Sequence, residues 1–394
     1  MKRLGRFLRA LVLIVIAVLA VFWWVARPSS PGEFYEFTAD PPATPGELLR
    51  QEVLEAPLPE GAKGYRILYS TTRHDGSAAV ASAVVVVPET GGAAAPVVAY
   101  AHGTTGVRPG CAPSVFDNPF PNVPGFPGLL AEGWAYVATD YVGLGTEGGH
   151  FYLVGDDAAR AVLDSIRASG RLEGVALARN AVVWGHSQGG HSALWTGQRA
   201  ADYAPDLSIA GIAAVAPATD LPKLAEVSGS GTFGKIVLSY ITDAYDRAYP
   251  DIGAWSYVRP VSRWLTRDIA SRCIESPDAI FSVLQTMLLP GEGPFARSPL
   301  EGAFGEKLAA NVPTGPFAAP TLIAQGGADD LILPDIQDAF VAKLCAAGVP
   351  VEYRRYPGKD HISVVAPESP LTADLIAWTR ARFDGAAPLD GCGG

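Results

Sequence analysis

The feature that most constrains this chain is a succession of short, unbroken apolar runs, each closing on a turn. "APVVAYAHG" (95–103), "WAYVATDYVGLG" (134–145), "NAVVWG" (180–185), "IAGIAAVAPATD" (209–220) and "APTLIAQGGADD" (319–330) share this form, and "VPVEYRRYPGKDH" (349–361) ends the series. A strand covered on both faces shows no polar alternation. Helical spacing between such strands, as in "DAARAVLDSIRAS" (157–169), implies crossover helices and a parallel sheet. Ahead of these runs, "GYRILYSTT" and "AAVASAVVVVPE" read as a β pair turned by "RHDGS", and residues 28–60, rich in Pro and Gly, read as an extended lead-in. Residues 221–318 break the alternation. They hold no convincing core strand but carry helical spacing, with Val237, Ile241 and Tyr245 beside Ile236 and Tyr240. So long a segment between two sheet strands reads as an inserted helical cap. The expected plan is a leader and linker over 1–32, an α/β core over 33–220, a cap over 221–318 and the rest of the core over 319–394. The predicted fold is α/β, a mostly parallel central sheet flanked by helices.

Charge separates the two ends of this plan. The formal net charge is −10, yet Lys2, Arg3, Arg6, Arg9 and Arg27 place +5 on the first 27 residues, leaving −15 on the body. So acidic a body lacks the basic face that nucleic-acid binding requires. The basic start precedes the uncharged run "ALVLIVIAVLAVFWWVA" (10–26). Its seventeen residues approach the roughly 20 of a spanning helix and exceed the roughly 7–15 of a signal-peptide core. Trp23, Trp24 and Val25 also crowd the place where a small-residue cleavage site belongs. Two readings stand, an uncleaved membrane anchor and a cleaved signal peptide, and both export the body. Four cysteines, Cys111, Cys273, Cys345 and Cys392, agree with an oxidising compartment, and their wide spacing gives no zinc pattern. Four cysteines allow three pairings, and spacing does not choose among them.

The chemistry gathers on "GHSQG" (185–189), a G-x-S-x-G motif between an apolar strand and a helix. On such a turn Ser187 stands exposed at the sheet's carboxyl edge, and side chains at the flanking glycines would strike neighbouring backbone. A serine hydroxyl attacks only when a base takes its proton. Of six histidines, His74, His102, His150, His186, His191 and His361, only His361 lies far enough downstream to leave room for an acid in the order Ser, acid, His. That acid should end a strand. Asp329 is the expected residue, with Asp330 one position away as the alternative. The oxyanion would be met by the N–H of Gln188 at the helix N-terminus and by that of Thr104 in "YAHGTTG". No phosphate-binding loop is present, and neither a cofactor nor a metal is expected.

In this order the motifs resemble the secretory lipase family of α/β-hydrolases. "DYVGLGT…GHFYLVG…AVLD", "GHSQGGHSALW", "APATDL", "NVPTGPFAAPTLIAQGGADDLILP" and "LCAAGVPVEYRRYPGKDH" carry the likeness over roughly 33–382. The resemblance implies an exported serine esterase or lipase that cleaves acyl esters without a metal. Ser187, Asp329 and His361 match its triad, Thr104 and Gln188 its oxyanion donors, and 221–318 its lid and cap. It also implies the pairs Cys111–Cys273 and Cys345–Cys392. Two features depart from the pattern: the anchor-like N-terminus, and Phe151 where relatives are expected to have proline. The expected partner is a small-molecule or lipid ester, with residues 10–26 the candidate membrane contact. Acyl transfer or amide cleavage by the same triad is the rival within enzymes. A catalytically silent, surface-tethered binding protein is the rival outside them.

Overall fold

Nine strands form one sheet in the order β1-β2-β3-β5-β4-β6-β7-β8-β9 in a computed structural model that describes residues 12–18, 20–21, 30–89, 94–120, 122–387, 389 and 391–392. The strands are β1 (Leu48–Val53), β2 (Ala62–Thr72), β3 (Ala78–Pro88), β4 (Ala95–Ala101), β5 (Ala135–Thr139), β6 (Leu177–His186), β7 (Ser208–Val215), β8 (Thr321–Gly326) and β9 (Glu352–Tyr356). From β5 through β4, β6, β7 and β8 to β9 every neighbouring pair is parallel. β1, β2 and β3 extend the sheet antiparallel, with β3 joined to β5. This is the α/β-hydrolase fold.

The unbroken apolar runs have their explanation in the two-residue period of a strand. Val97, Ala99 and Ala101 of β4, with Val183 of β6, join a core under the helices Gly155–Ser169, Gln188–Tyr203 and Pro334–Ala346. Val98 and Tyr100, with Val182 and Trp184, join the core of the opposite face, under Phe126–Ala131 and Pro370–Phe383. Both faces are covered, so neither set of positions can be polar. Full burial of a Val or Ile side chain contributes roughly 1.5–3 kcal/mol each. Trp184 carries a polar atom into that core, and its indole N–H donates to Thr379 Oγ1 at 2.9 Å.

The lead-in is not wholly extended coil. Its last part forms β1, an edge strand whose "LLRQEV" has no face buried throughout. Partial burial and a register shift near Leu48 leave no alternating pattern to read. β7 and β8 pair side by side although residues 216–320 separate them. Among the described residues the regular structure of that intervening stretch is helical, apart from an isolated bridge between Val258 and Phe295. Val237, Ile241, Tyr245, Ile236 and Tyr240, on the helix Thr232–Ala248, are buried in a core of its own with Phe304 and Leu308. One disulfide, Cys111–Cys273, ties the loop after β4 to this helical stretch. The other, Cys345–Cys392, ties the end of the helix Pro334–Ala346 to the C-terminal tail. Of the run 10–26, residues 12–18 and 20–21 are helical and exposed, and the remainder lies outside the described residues. Among the described residues no helix is long and apolar enough to cross a membrane.

Candidate active site

β6 ends at His186 and the helix Gln188–Tyr203 starts two residues later, so the chain must reverse at Ser187. It does so at φ 58° and ψ −119°, a left-handed conformation that a non-glycine residue adopts only when its surroundings impose it. The surroundings are backbone. A Cβ on Gly185 would stand 2.0 Å from the Gly189 carbonyl oxygen, and one on Gly189 1.8 Å from that of Ala101. The glycines therefore let β4, β6 and the helix start approach one another. Gly189→Ala is expected to cost about 1–3 kcal/mol or more through forced backbone movement. A lowered thermal midpoint checks this; a variant as stable as the parent would show that the close approach does not fix this residue.

The turn presents Ser187 Oγ to His361 Nε2 at 2.9 Å. The other ring nitrogen, His361 Nδ1, donates to Asp329 Oδ2 at 2.8 Å. Asp329 is buried, and its second oxygen accepts the backbone N–H groups of Leu331 at 2.9 Å and Ile332 at 2.8 Å. Burial works against its charge, but the His361 contact and those two amides outweigh it and hold the carboxyl below its usual range. Asp330 is exposed and makes none of these contacts. Of the two adjacent acids, geometry selects Asp329.

Several supporting residues escaped the sequence reading. Gln325 of β8 donates to Asp329 Oδ2 at 3.1 Å and to the carbonyl of Ile332 at 2.9 Å, fixing the acid's loop to its own strand. Its signal was a polar residue inside an otherwise apolar strand. His186, set aside above as lying upstream of Ser187, donates from Nε2 to the His361 carbonyl at 2.9 Å, with ring centroids 4.7 Å apart. Burial first, and the neighbouring imidazole second, lower its pKa to about 3, so it is neutral and does not compete for the proton. Tyr152 meets the Thr104 hydroxyl at 2.7 Å. Gln188 begins its helix, where the N–H has no partner within the helix. Its side-chain amide donates to His150 Nε2 at 2.8 Å. Thr104, Gln188, Ser187 and His361 line one cavity of about 370 Å³ under the helix Thr232–Ala248. A second cavity of about 210 Å³ also opens on Ser187 and His361 and runs toward Tyr100 and Tyr136. Phe151, the departure from the expected proline, packs under the Arg73 guanidinium at 3.9 Å and beside His74.

A sheet of this order with a serine on so strained a turn, linked through an imidazole to a buried carboxylate, has the architecture of a serine hydrolase site on an α/β-hydrolase. The chain belongs to the secretory lipase family, whose model matches residues 126–391. That span takes in Ser187, Asp329 and His361 and begins after Thr104 and Cys111. A Mycobacterium tuberculosis protein named a probable inactive lipase is 28% identical over 373 residues, covering 87% of this chain and 79% of that one. Lipase 2 of Candida albicans is 25% identical over 280 residues, 67% of this chain and 58% of the relative. The chain thus spans somewhat over half the length of that fungal lipase. Among solved structures, Candida antarctica lipase A in its closed state superposes with a TM-score of 0.73 at 18% identity, covering 91% of this chain and 87% of that one. The rice cell wall degrading esterase LipA from Xanthomonas oryzae gives 0.70 at 20% identity, covering 87% and 100%. These two likenesses speak for the fold.

Proposed function

We propose that this protein is an exported serine hydrolase of carboxylic esters acting through an acyl-serine intermediate. The observation that carries the reading is the linked chain of contacts, Ser187 to His361 at 2.9 Å and His361 to Asp329 at 2.8 Å. In this reading His361 Nε2 takes the Ser187 proton as Oγ attacks the ester carbonyl. The amides of Thr104 and Gln188 receive the developing oxyanion, and His361 returns the proton to the departing alcohol. Asp329 keeps the proton on Nδ1 and stabilises the imidazolium that forms. Water then repeats the sequence on the acyl-enzyme. Residues 221–318 serve as a cap over the acyl chain, set between core segments 33–220 and 319–394. Export is supported by the family's description as secretory and by two disulfides, which persist in oxidising compartments. An acyltransferase or amidase would use the same groups and differ in the acceptor or leaving group admitted. The relative named probably inactive keeps the silent-scaffold reading in contention, and turnover decides it.

The test is hydrolysis of p-nitrophenyl esters from acetate to palmitate by the full chain. Turnover is expected, and the best acyl length separates an esterase from a lipase. Folded protein that releases no nitrophenol at any length would favour the silent scaffold.

A further inference from the structure

We propose that residues 148–153 form a strap that sets both oxyanion donors, with His150 and Tyr152 as its positioning residues. The inference rests on the ester-hydrolase reading and adds the groups that hold its oxyanion site in shape. Side chains alternate along the strap. His150 and Tyr152 are buried, and each meets one donor residue: His150 the side chain of Gln188, and Tyr152 the hydroxyl of Thr104. Phe151 between them packs instead under the Arg73 guanidinium. The two donors follow different strands, Thr104 after β4 and Gln188 after β6. One short segment reaches both.

The His150 contact has a defined direction. Its Nδ1 lies 3.3 Å from the Val142 carbonyl, which only accepts, so the ring proton sits there. Burial first, and the His102 imidazole second, hold the ring well below the usual histidine pKa, so it is neutral. Nε2 is left as an acceptor, and the Gln188 side-chain amide donates to it at 2.8 Å. Gln188 opens its helix, and no side chain caps that start, so its backbone N–H stays available to a developing oxyanion. Side chain and N–H share one Cα. Fixing the far end of the side chain therefore limits how far the N–H can swing. Tyr152 does the same for Thr104, which it meets at 2.7 Å in a loop between Gly103 and Gly106.

The strap is itself pinned from two sides. Arg73, just past β2, donates from Nη2 to the carbonyls of Gly148 at 2.9 Å and Gly149 at 2.8 Å. From the helix Thr232–Ala248, Arg247 donates to the His150 carbonyl at 3.4 Å and the Tyr245 hydroxyl to that of Leu153 at 3.2 Å. Tyr240 of the same helix meets the Tyr152 ring edge-on, with centroids 6.0 Å apart. Leu153 takes φ 58°, a left-handed conformation that a leucine keeps only where its surroundings over-determine it. A segment held this firmly gives His150 and Tyr152 a fixed base from which to hold the donors.

The test measures turnover of p-nitrophenyl butyrate and inhibition by n-butylboronic acid, whose tetrahedral serine adduct places an oxygen where the oxyanion forms. It uses the full chain and its Tyr152→Phe, His150→Leu and His150→Gln variants. Tyr152→Phe should lower kcat about threefold to tenfold, the scale of one lost hydrogen bond. His150→Leu leaves the Gln188 side chain unmoored and should lower kcat about tenfold to a hundredfold, less than deleting an oxyanion donor outright. In both, KM is expected to stay within about twofold, because the contact acts only in the transition state. The boronate inhibition constant should rise in step with the fall in kcat. His150→Gln, whose carbonyl oxygen accepts where Nε2 did, should recover most of the loss. An unmoved kcat in both Tyr152→Phe and His150→Leu overturns the proposal. So does a raised KM with kcat unchanged, which would assign the strap to substrate binding. A His150→Gln variant as slow as His150→Leu overturns it too, by making His150 a packing residue. Where His150→Leu fails to fold, Tyr152→Phe, which loses a single oxygen, decides. An inert parent marks failure of the hydrolase reading, whereas an active parent with unmoved variants marks failure of the strap.

Discussion

Ser187→Ala is expected to lower kcat/KM on p-nitrophenyl esters by about 10⁵–10⁶-fold, the scale of losing a nucleophile that works as a unit with its base. The substitution removes one oxygen and leaves the turn's other constraints in place. The Ser187 N–H still donates to the Val215 carbonyl at 2.9 Å, and its carbonyl still accepts the N–H of His191 at 3.1 Å. Alanine at φ 58° adds only a modest strain to a conformation already imposed by the strands around it. The variant should therefore fold, and an unchanged circular dichroism spectrum would show that it has. Folded Ser187→Ala retaining a tenth of the parent rate would remove Ser187 from the mechanism, whatever its geometry.

The second large effect belongs to the acid. Asp329→Asn is expected to reduce kcat by about 10⁴-fold with little change in KM. An asparagine fits the same space, and its carbonyl oxygen can still accept from Leu331 and Ile332. What faces His361 Nδ1 is then an amide N–H₂, which donates. The imidazole must turn its proton to Nε2, the atom that should accept from Ser187 at 2.9 Å. The base is present but holds the wrong proton. Asp330→Asn, one residue along and exposed, should leave the rate within about twofold, because loop charges of this kind are weakly coupled through water. Reversal of this pair of outcomes would move the triad acid to Asp330.

How far the sequence could be read depended on which physical signal each part carried. Strands buried on both faces declare themselves by having no polar positions, so β4 to β8 were legible. β1 was not, because an edge strand that is nowhere buried through one face looks like any polar segment. The order Ser187, Asp329, His361 was legible because the fold class dictates it. The choice between Asp329 and Asp330 was a matter of one residue in a tight loop, and only the placement of Gln325, Leu331 and Ile332 around the carboxylate decides it. His186 shows a different limit. It sits one position before the nucleophile and supports a residue that lies far downstream, a contact with no periodicity to betray it.

The Cys111–Cys273 bridge closes a covalent ring that contains Ser187 and excludes both Asp329 and His361. A chain is synthesised from its N-terminus, and its parts tend to fold in that order. The ring, with the elbow inside it, is therefore synthesised before β8 and β9. Until those last strands dock, the serine on its strained turn has no base and is as inert as any free alcohol. In the hydrolase reading reactivity arrives only with the finished chain, so an interrupted or truncated product carries Ser187 without the means to use it.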